Sequence, residues 1–141
     1  MQTNAKAALI FLKVDTKQAK LTRIYEAIKF FYFKNKKIIL FMPSAEAAQL
    51  LDNTLWHMSP EDFIPHSIQS QKNSEPVCIT ETRLNLNNAE IAFNLCETCL
   101  KTVNDFAYVF ELFDCTQPHR KGLSQRKMAD YQSLGFNPAM R

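Results

Sequence analysis

Two short segments that are almost continuously apolar limit what this chain can fold into, because a segment with helical periodicity separates them. The apolar segments are residues 7–14 (AALIFLKV) and 38–42 (IILFM). Between residues 21 and 33, apolar side chains recur three and four positions apart, as on one face of a helix. Residues 45–56 follow the capping residue Ser44 and are rich in helix formers. The first half therefore predicts strand–helix–strand–helix, with two parallel strands buried on both faces.

The second half continues this pattern after a long polar segment. Residues 59–74 contain two prolines among polar residues and predict a loop. The further strands are predicted at residues 77–80, 91–95 and 106–113, although the last segment also suits a short helix. A final helix of about residues 120–134 should follow Pro118 and end at Gly135. We expect a single α/β domain over residues 1–141, with a mostly parallel sheet of about five strands flanked by helices.

Glycine is scarce, and this excludes the common nucleotide-binding loops. The chain holds two glycines, Gly122 and Gly135, both near the C-terminus. Dinucleotide-binding and P-loop motifs need several glycines between a strand and a helix, where the backbone approaches a phosphate. The first strand–helix turn here, residues 14–17 (VDTK), has none. We expect no nucleotide-binding loop and no cofactor.

The cysteines leave one alternative open. Cys96 and Cys99 form a Cys-x-x-Cys pair after a predicted strand, which is where a thiol redox pair would be placed. A structural zinc site needs four ligands, and neither Cys78 and Cys115 nor the three histidines supply a second pair. A thiol redox or metal-dependent enzyme that uses Cys96 and Cys99 is therefore the alternative to the interpretation given below. Two thiols at a strand end are the plainer interpretation.

Charge and hydropathy suggest where the protein works. The net charge of +3 is a mild cationic excess, without the higher pI that usually accompanies direct nucleic-acid binding. The lysines of residues 29–37 are interpreted as helix-end charge on a solvated face. The N-terminal residues lack a secretory cleavage site, and no stretch approaches the roughly 18 apolar residues of a membrane span. We expect a cytoplasmic protein without a membrane partner.

An aromatic segment follows the second predicted helix. Trp56, the sole tryptophan, ends that helix, and Phe63 and Pro65 lie in the polar loop that follows. These residues either cap the core or form an exposed anchor for a partner protein, because aromatic residues dominate interface hot spots.

The final predicted helix is rich in cations. Four of them stand against the single acid Asp130, and helical spacing places them beside Met128 and Tyr131. The cations are Arg120, Lys121, Arg126 and Lys127. This arrangement suits an acidic peptide with an aromatic end, whereas direct nucleic-acid binding by so few cations would be weak and salt-sensitive. An ordinary amphipathic helix with solvated lysines is the alternative.

Two stretches resemble the chi subunit of bacterial DNA polymerase III. They are LDNTLWHMSPEDFIPHSI (residues 51–68), with its specific Trp…Phe-x-Pro-His pattern, and the closing YQSLGFN (residues 131–137). The resemblance extends over nearly the whole chain. It implies a three-layer Rossmann-like domain without catalytic activity. It also implies pairing with the psi subunit, and so with the clamp loader, and binding of the acidic C-terminal tail of single-stranded DNA-binding protein, which ends in phenylalanine.

The resemblance also assigns residues to these partners. It implies that a surface for psi, or for a competing DNA repair helicase, includes Trp56, Phe63, Pro65 and Phe113. It implies that the final helix holds the tail through Lys121, Gln125, Arg126, Lys127 and Met128. Gln125 stands where family members commonly carry arginine, and Arg126 is the candidate substitute. Because a charge-assisted contact is worth roughly 1.5–3 kcal/mol, we expect weaker or differently centred tail binding.

Overall fold

The computed structural model describes residues 7–58 and 60–141, with the side chain of Pro60 excepted. Within them, the strands are β1 (Ala8–Val14), β2 (Ile38–Phe41), β3 (Ser67–Ile68), β4 (Val77–Thr80), β5 (Ile91–Asn94), β6 (Tyr108–Asp114) and β7 (Ala139–Met140). The α-helices are α1 (Lys17–Tyr32), α2 (Ala45–Met58) and α3 (Pro118–Ser133). Short 3-10 turns occupy Pro60–Asp62 and Val103–Asp105.

The strands form one parallel sheet in the order β3-β4-β2-β5-β6-β1-β7. The predicted α/β class and parallel sheet are confirmed, but the described sheet has seven strands where about five were expected. The additional strands, β3 and β7, have two residues each and lie at the two edges. β3 lies within the segment predicted as loop, whose first residue, 59, is outside the described part of the chain. Residues 106–113, which also suited a helix, are mostly strand.

Side chains alternate across the sheet and form two apolar layers. In β1, Ile10 and Leu12 pack with α1 and α2 on one face, whereas Leu9 and Phe11 pack with Tyr131 of α3 on the other. The connections that run toward the β3 edge cross the first face through α1 and α2. The returning connections, including α3, cross the second face, as expected when all parallel crossovers have one hand. This arrangement gives the three layers that the family resemblance implied.

The helix ends follow the local signals in the sequence. The Thr16 hydroxyl caps the start of α1, because it accepts a hydrogen bond from the Ala19 N–H at 3.0 Å. The Ser44 hydroxyl caps the start of α2 in the same way, through the Ala47 N–H at 3.0 Å. Helix α3 begins at Pro118 itself rather than after it, since proline suits the first helical position. It ends before Gly135, whose φ of +93° is the left-handed conformation that a C-terminal cap requires. None of the helices in the described part of the chain has the length and apolar character that a membrane crossing requires.

An ion pair joins the end of β6 to α1. The Asp114 carboxylate accepts a hydrogen bond from the Lys20 ammonium at 2.7 Å and others from Thr116. Burial acts to raise the pKa of Asp114, but the hydrogen bonds from Lys20 and Thr116 outweigh burial and hold that pKa below its usual range. The ionised form is therefore stabilised in the folded state.

We expect the substitution Asp114→Asn to lower the free energy of unfolding by about 1–2 kcal/mol at neutral pH. Because the folded-state pKa is depressed, this contribution is present above the unfolded-state pKa of roughly 3.9 and is lost as pH falls through the folded-state value. Urea unfolding of both proteins over a pH series should show their difference shrinking in acid. A difference that stays constant into strong acid would contradict the assignment.

Candidate functional site

An exposed aromatic surface lies at the end of α2. The Trp56 indole packs on the buried His66 ring, with centroids 3.9 Å apart, and remains 48% exposed. His66 is fixed in turn, because its Nδ1 lies 2.9 Å from the carbonyl oxygen of Ile64. Trp56 and Phe63 line one pocket of about 160 Å³, which Tyr25 of α1 also lines. The indole is therefore held in a fixed position while half of its surface faces outward.

Phe63 is the most exposed aromatic residue in the described part of the chain. Its side chain is 78% exposed and its φ is +47°, a left-handed conformation that is rare for bulky residues. The preceding turn is held to α1, because the Asp62 carboxylate accepts a hydrogen bond from the Tyr25 hydroxyl and pairs with the Lys29 ammonium at 3.2 Å. The sequence left open whether Phe63 caps the core or is exposed. Its ring is exposed, so it does not cap the core.

The other two residues assigned to this surface differ from each other. Pro65 is exposed beside Phe63. Phe113 is buried in β6, where it packs with Leu9 and Phe11 beneath α3. The assignment of Phe113 to a partner surface is corrected, because a partner cannot reach this ring while the sheet is intact.

Helix α3 separates the residues predicted to bind the acidic tail. Lys121, Gln125 and Arg126 are exposed on its outer side, and Met128 is half-buried against the core. Lys127 and Tyr131 lie on the face that contacts the sheet, together with Ser124. The side chains of Lys127 and Tyr131 point toward the sheet, so neither is presented on the outer side of α3.

The two buried α3 side chains belong to a polar cluster centred on Glu111 of β6, which is fully buried. One Glu111 carboxylate oxygen accepts a hydrogen bond from the Lys127 ammonium at 2.7 Å. The other accepts from the Tyr131 hydroxyl at 2.5 Å and from the Asn94 amide at 2.7 Å. Lys127 also donates to the Cys96 carbonyl at 2.6 Å, and the Tyr131 hydroxyl accepts from the Leu100 N–H at 2.8 Å. The cluster thus joins β5, β6, α3 and the loop after β5.

Burial raises the pKa of both acidic groups in this cluster. Desolvation raises the pKa of Glu111, and the donors of Lys127, Tyr131 and Asn94 oppose that shift. Desolvation and the neighbouring Glu111 raise the pKa of Tyr131 far above its usual range. Glu111 and Lys127 pair with each other, and each polar side chain of the cluster has at least one hydrogen-bond partner, so the arrangement stabilises the fold. Sequence reasoning missed it, although a carboxylate within an apolar strand was an available signal.

The Cys-x-x-Cys pair lies against this cluster. Cys96 is buried and Cys99 is half-buried, with its Sγ 3.4 Å from the Lys127 carbonyl oxygen. Desolvation raises the pKa of both thiols, that of Cys99 to about 11 with added repulsion from Glu111. Reactive thiols need the opposite shift. Within the described ranges, no group of three or more His, Cys, Asp or Glu side chains could hold a metal ion.

We expect Cys99 to react slowly with iodoacetamide at pH 8, because a pKa of about 11 leaves little thiolate. The thiolate fraction should be roughly a hundredfold smaller than that of an unperturbed cysteine. Site-resolved mass spectrometry of alkylation over a pH series measures this, with a free cysteine peptide as the control. Alkylation of Cys99 as fast as that of the peptide would revive the thiol-enzyme alternative.

The fold and these surfaces define the structural class of this protein. The chain is a three-layer parallel α/β protein without a glycine-rich phosphate loop, and its exposed features are an aromatic surface and a cationic helix face. The family model of the DNA polymerase III chi subunit, HolC, matches residues 7–139. The chain therefore belongs to the chi subunit family of DNA polymerase III, as the sequence predicted, and this family places it among the accessory subunits of a replication complex. No curated protein matches the chain.

Proposed function

We propose that this chain is a non-catalytic, single-domain adaptor of the DNA polymerase III holoenzyme that works in the cytoplasm. It links the clamp loader, through psi, to the C-terminal tail of single-stranded DNA-binding protein, and it meets DNA only through these partners. The observation that carries the proposal is the family match, which spans residues 7–139 of 141. The raised thiol pKa values of Cys96 and Cys99 favour this role over a thiol enzyme.

The surface proposed for psi, or for a competing DNA repair helicase, consists of Trp56, Phe63 and Pro65. The two aromatic rings are exposed, and Trp56 is supported from behind by His66. A rigid exposed aromatic side chain loses little conformational freedom on binding, which is why such residues dominate interfaces. We place the partner's apolar side chains in the pocket between Trp56 and Phe63.

The surface proposed for the acidic tail is the outer side of α3. Lys121 and Arg126 supply the exposed cations, Gln125 lies between them, and Met128 offers a partly exposed apolar contact. Lys127 contributes indirectly, because its pairing with Glu111 anchors the helix. With a neutral amide at position 125, the tail should bind modestly and dissociate as salt screens the charges.

A fluorescent acidic peptide ending in Asp-Phe tests the tail surface. We expect saturable binding at low salt, about tenfold weaker binding to Lys121→Glu, and tighter binding to Gln125→Arg, because each change alters a charge-assisted contact. Fluorescence anisotropy measures the affinities, and a peptide with lysines in place of its acids is the control. Absence of binding at low salt would remove tail docking from the proposal.

A further inference from the structure

A groove of about 590 Å³ opens at the carboxyl ends of the central strands, between α1, α2 and α3. Met42 follows β2, Asn94 and Leu95 mark the end of β5, and Leu112 and Asp114 come from β6. The chain leaves β2 toward the face of α2, whereas it leaves the neighbouring strand β5 toward the opposite face. In open parallel sheets, such a divergence creates the crevice in which ligands bind.

The walls of this groove are aliphatic. Its apolar lining includes Leu21, Ile24, Leu50, Leu51, Leu95 and Leu123. Among the described residues that line it, none is aromatic, so no ring is available for a nucleobase to stack on. The strand–helix turns around it contain no glycine that would bring backbone close to a phosphate. An aliphatic ligand therefore fits the walls better than a nucleotide.

The charges along the rim favour an anion. Four cations and two carboxylates line the groove, namely Lys17, Lys20, Arg120, Lys127, Glu97 and Asp114. Lys20 is matched by Asp114 and Lys127 by the buried Glu111, each at 2.7 Å. Lys17, Arg120 and Glu97 are exposed, and none of them forms an ion pair with any residue that the structure describes, which leaves a net excess of one positive charge at the rim. Both of these cations lie in the first turns of their helices, where the helix dipole adds positive potential.

We propose that this groove binds a small amphipathic anion, an aliphatic chain that ends in a carboxylate. The carboxylate pairs with Arg120 and Lys17 at the rim, and the chain lies against Leu50, Leu95 and Leu123. The volume lies within the roughly 300–1,000 Å³ of small-molecule sites. The site shares no residue with the aromatic surface or with the outer side of α3, so it stands or falls independently of the partner proposals.

Titration of the full chain with sodium decanoate tests this site. Isothermal titration calorimetry should show one saturable site, and methyl NMR shifts should concentrate on Leu50, Leu95 and Leu123. We expect Arg120→Glu to weaken binding about tenfold, because a charge-assisted contact is replaced by repulsion. Leu50→Asp should also weaken it, and since Leu50 is 65% exposed, the fold should not depend on that side chain.

Lys121→Glu is the matched control, because it makes the same charge change at the next residue of the same helix but outside the groove. Its decanoate affinity should stay within about twofold of the unchanged chain. The proposal would be overturned by no saturable decanoate binding, by equal losses in Arg120→Glu and Lys121→Glu, or by equally tight binding of the decyltrimethylammonium cation. Methyl shifts in the groove with an acidic peptide but not with decanoate would assign it to peptides and also overturn it.

Discussion

The substitution Glu111→Ala should lower the free energy of unfolding by about 3–5 kcal/mol, because it leaves the buried Lys127 ammonium without its counterion. Glu111 is fully buried and accepts hydrogen bonds from Lys127, Tyr131 and Asn94. Because the Lys127 side chain is only 9% exposed, water does not readily replace the lost carboxylate as the partner of the ammonium group. Urea unfolding followed by circular dichroism would measure the loss as a lower midpoint at unchanged slope.

The double substitution Glu111→Leu with Lys127→Met is the control for this effect. It removes both charges at similar volume, so it should recover most of the stability lost in Glu111→Ala. Tyr131 and Asn94 keep backbone partners in the double variant, at Leu100 and Thr98. A cost below about 1 kcal/mol for Glu111→Ala, or a double variant no more stable than the single one, would show that the cluster does not act as a charge pair.

The substitutions Trp56→Ala and Phe63→Ala should each weaken association with psi by about 2–4 kcal/mol, the range of central aromatic hot spots. This corresponds to a loss of roughly thirtyfold to a thousandfold in affinity. Phe63 is 78% exposed, so removal of its ring should change the unfolding midpoint little, whereas Trp56 packs on His66 and its removal should lower the midpoint. Surface plasmon resonance with the psi subunit of the same organism measures the affinity.

Phe30→Ala is the matched control, because Phe30 is also an exposed phenylalanine, at 56%, but does not line the pocket of Trp56 and Phe63. It should leave psi binding unchanged. Trp56→Ala should also leave binding of the acidic tail peptide intact, because the surface proposed for the tail is on α3. Full psi affinity in both Trp56→Ala and Phe63→Ala would place the psi surface elsewhere on the chain.

Local sequence signals were sufficient for most of the fold. The strands later seen as β1, β2, β4, β5 and β6 were predicted close to their observed bounds. Their continuous apolar runs are typical of strands buried on both faces, and the caps at Thr16 and Ser44 begin α1 and α2 as expected. The scarcity of glycine is the reason to expect no glycine-rich phosphate loop in this fold.

Pairing between distant segments decided the sheet edges. β3 and β7 have two residues each, too few for a periodic pattern, and they are strands only because β4 and β1 offer hydrogen-bonding partners. Nothing local in Ser67–Ile68 or Ala139–Met140 distinguishes such a segment from a loop.

The sequence by itself determined which residues share a face of each element, because helical and strand periodicity are local properties of the backbone. Only the tertiary structure decided which way those faces point. Lys127 lies inward because Glu111, from another element, provides the counterion that makes its burial tolerable, whereas Lys121 on the same helix has no such partner among the described residues and stays outside. Trp56 is held half-exposed by His66, and Phe63 is turned outward by its own backbone conformation. The first two orientations depend on contacts between different elements of the fold, and the third depends on a single backbone dihedral angle. A periodic sequence pattern encodes neither kind of information.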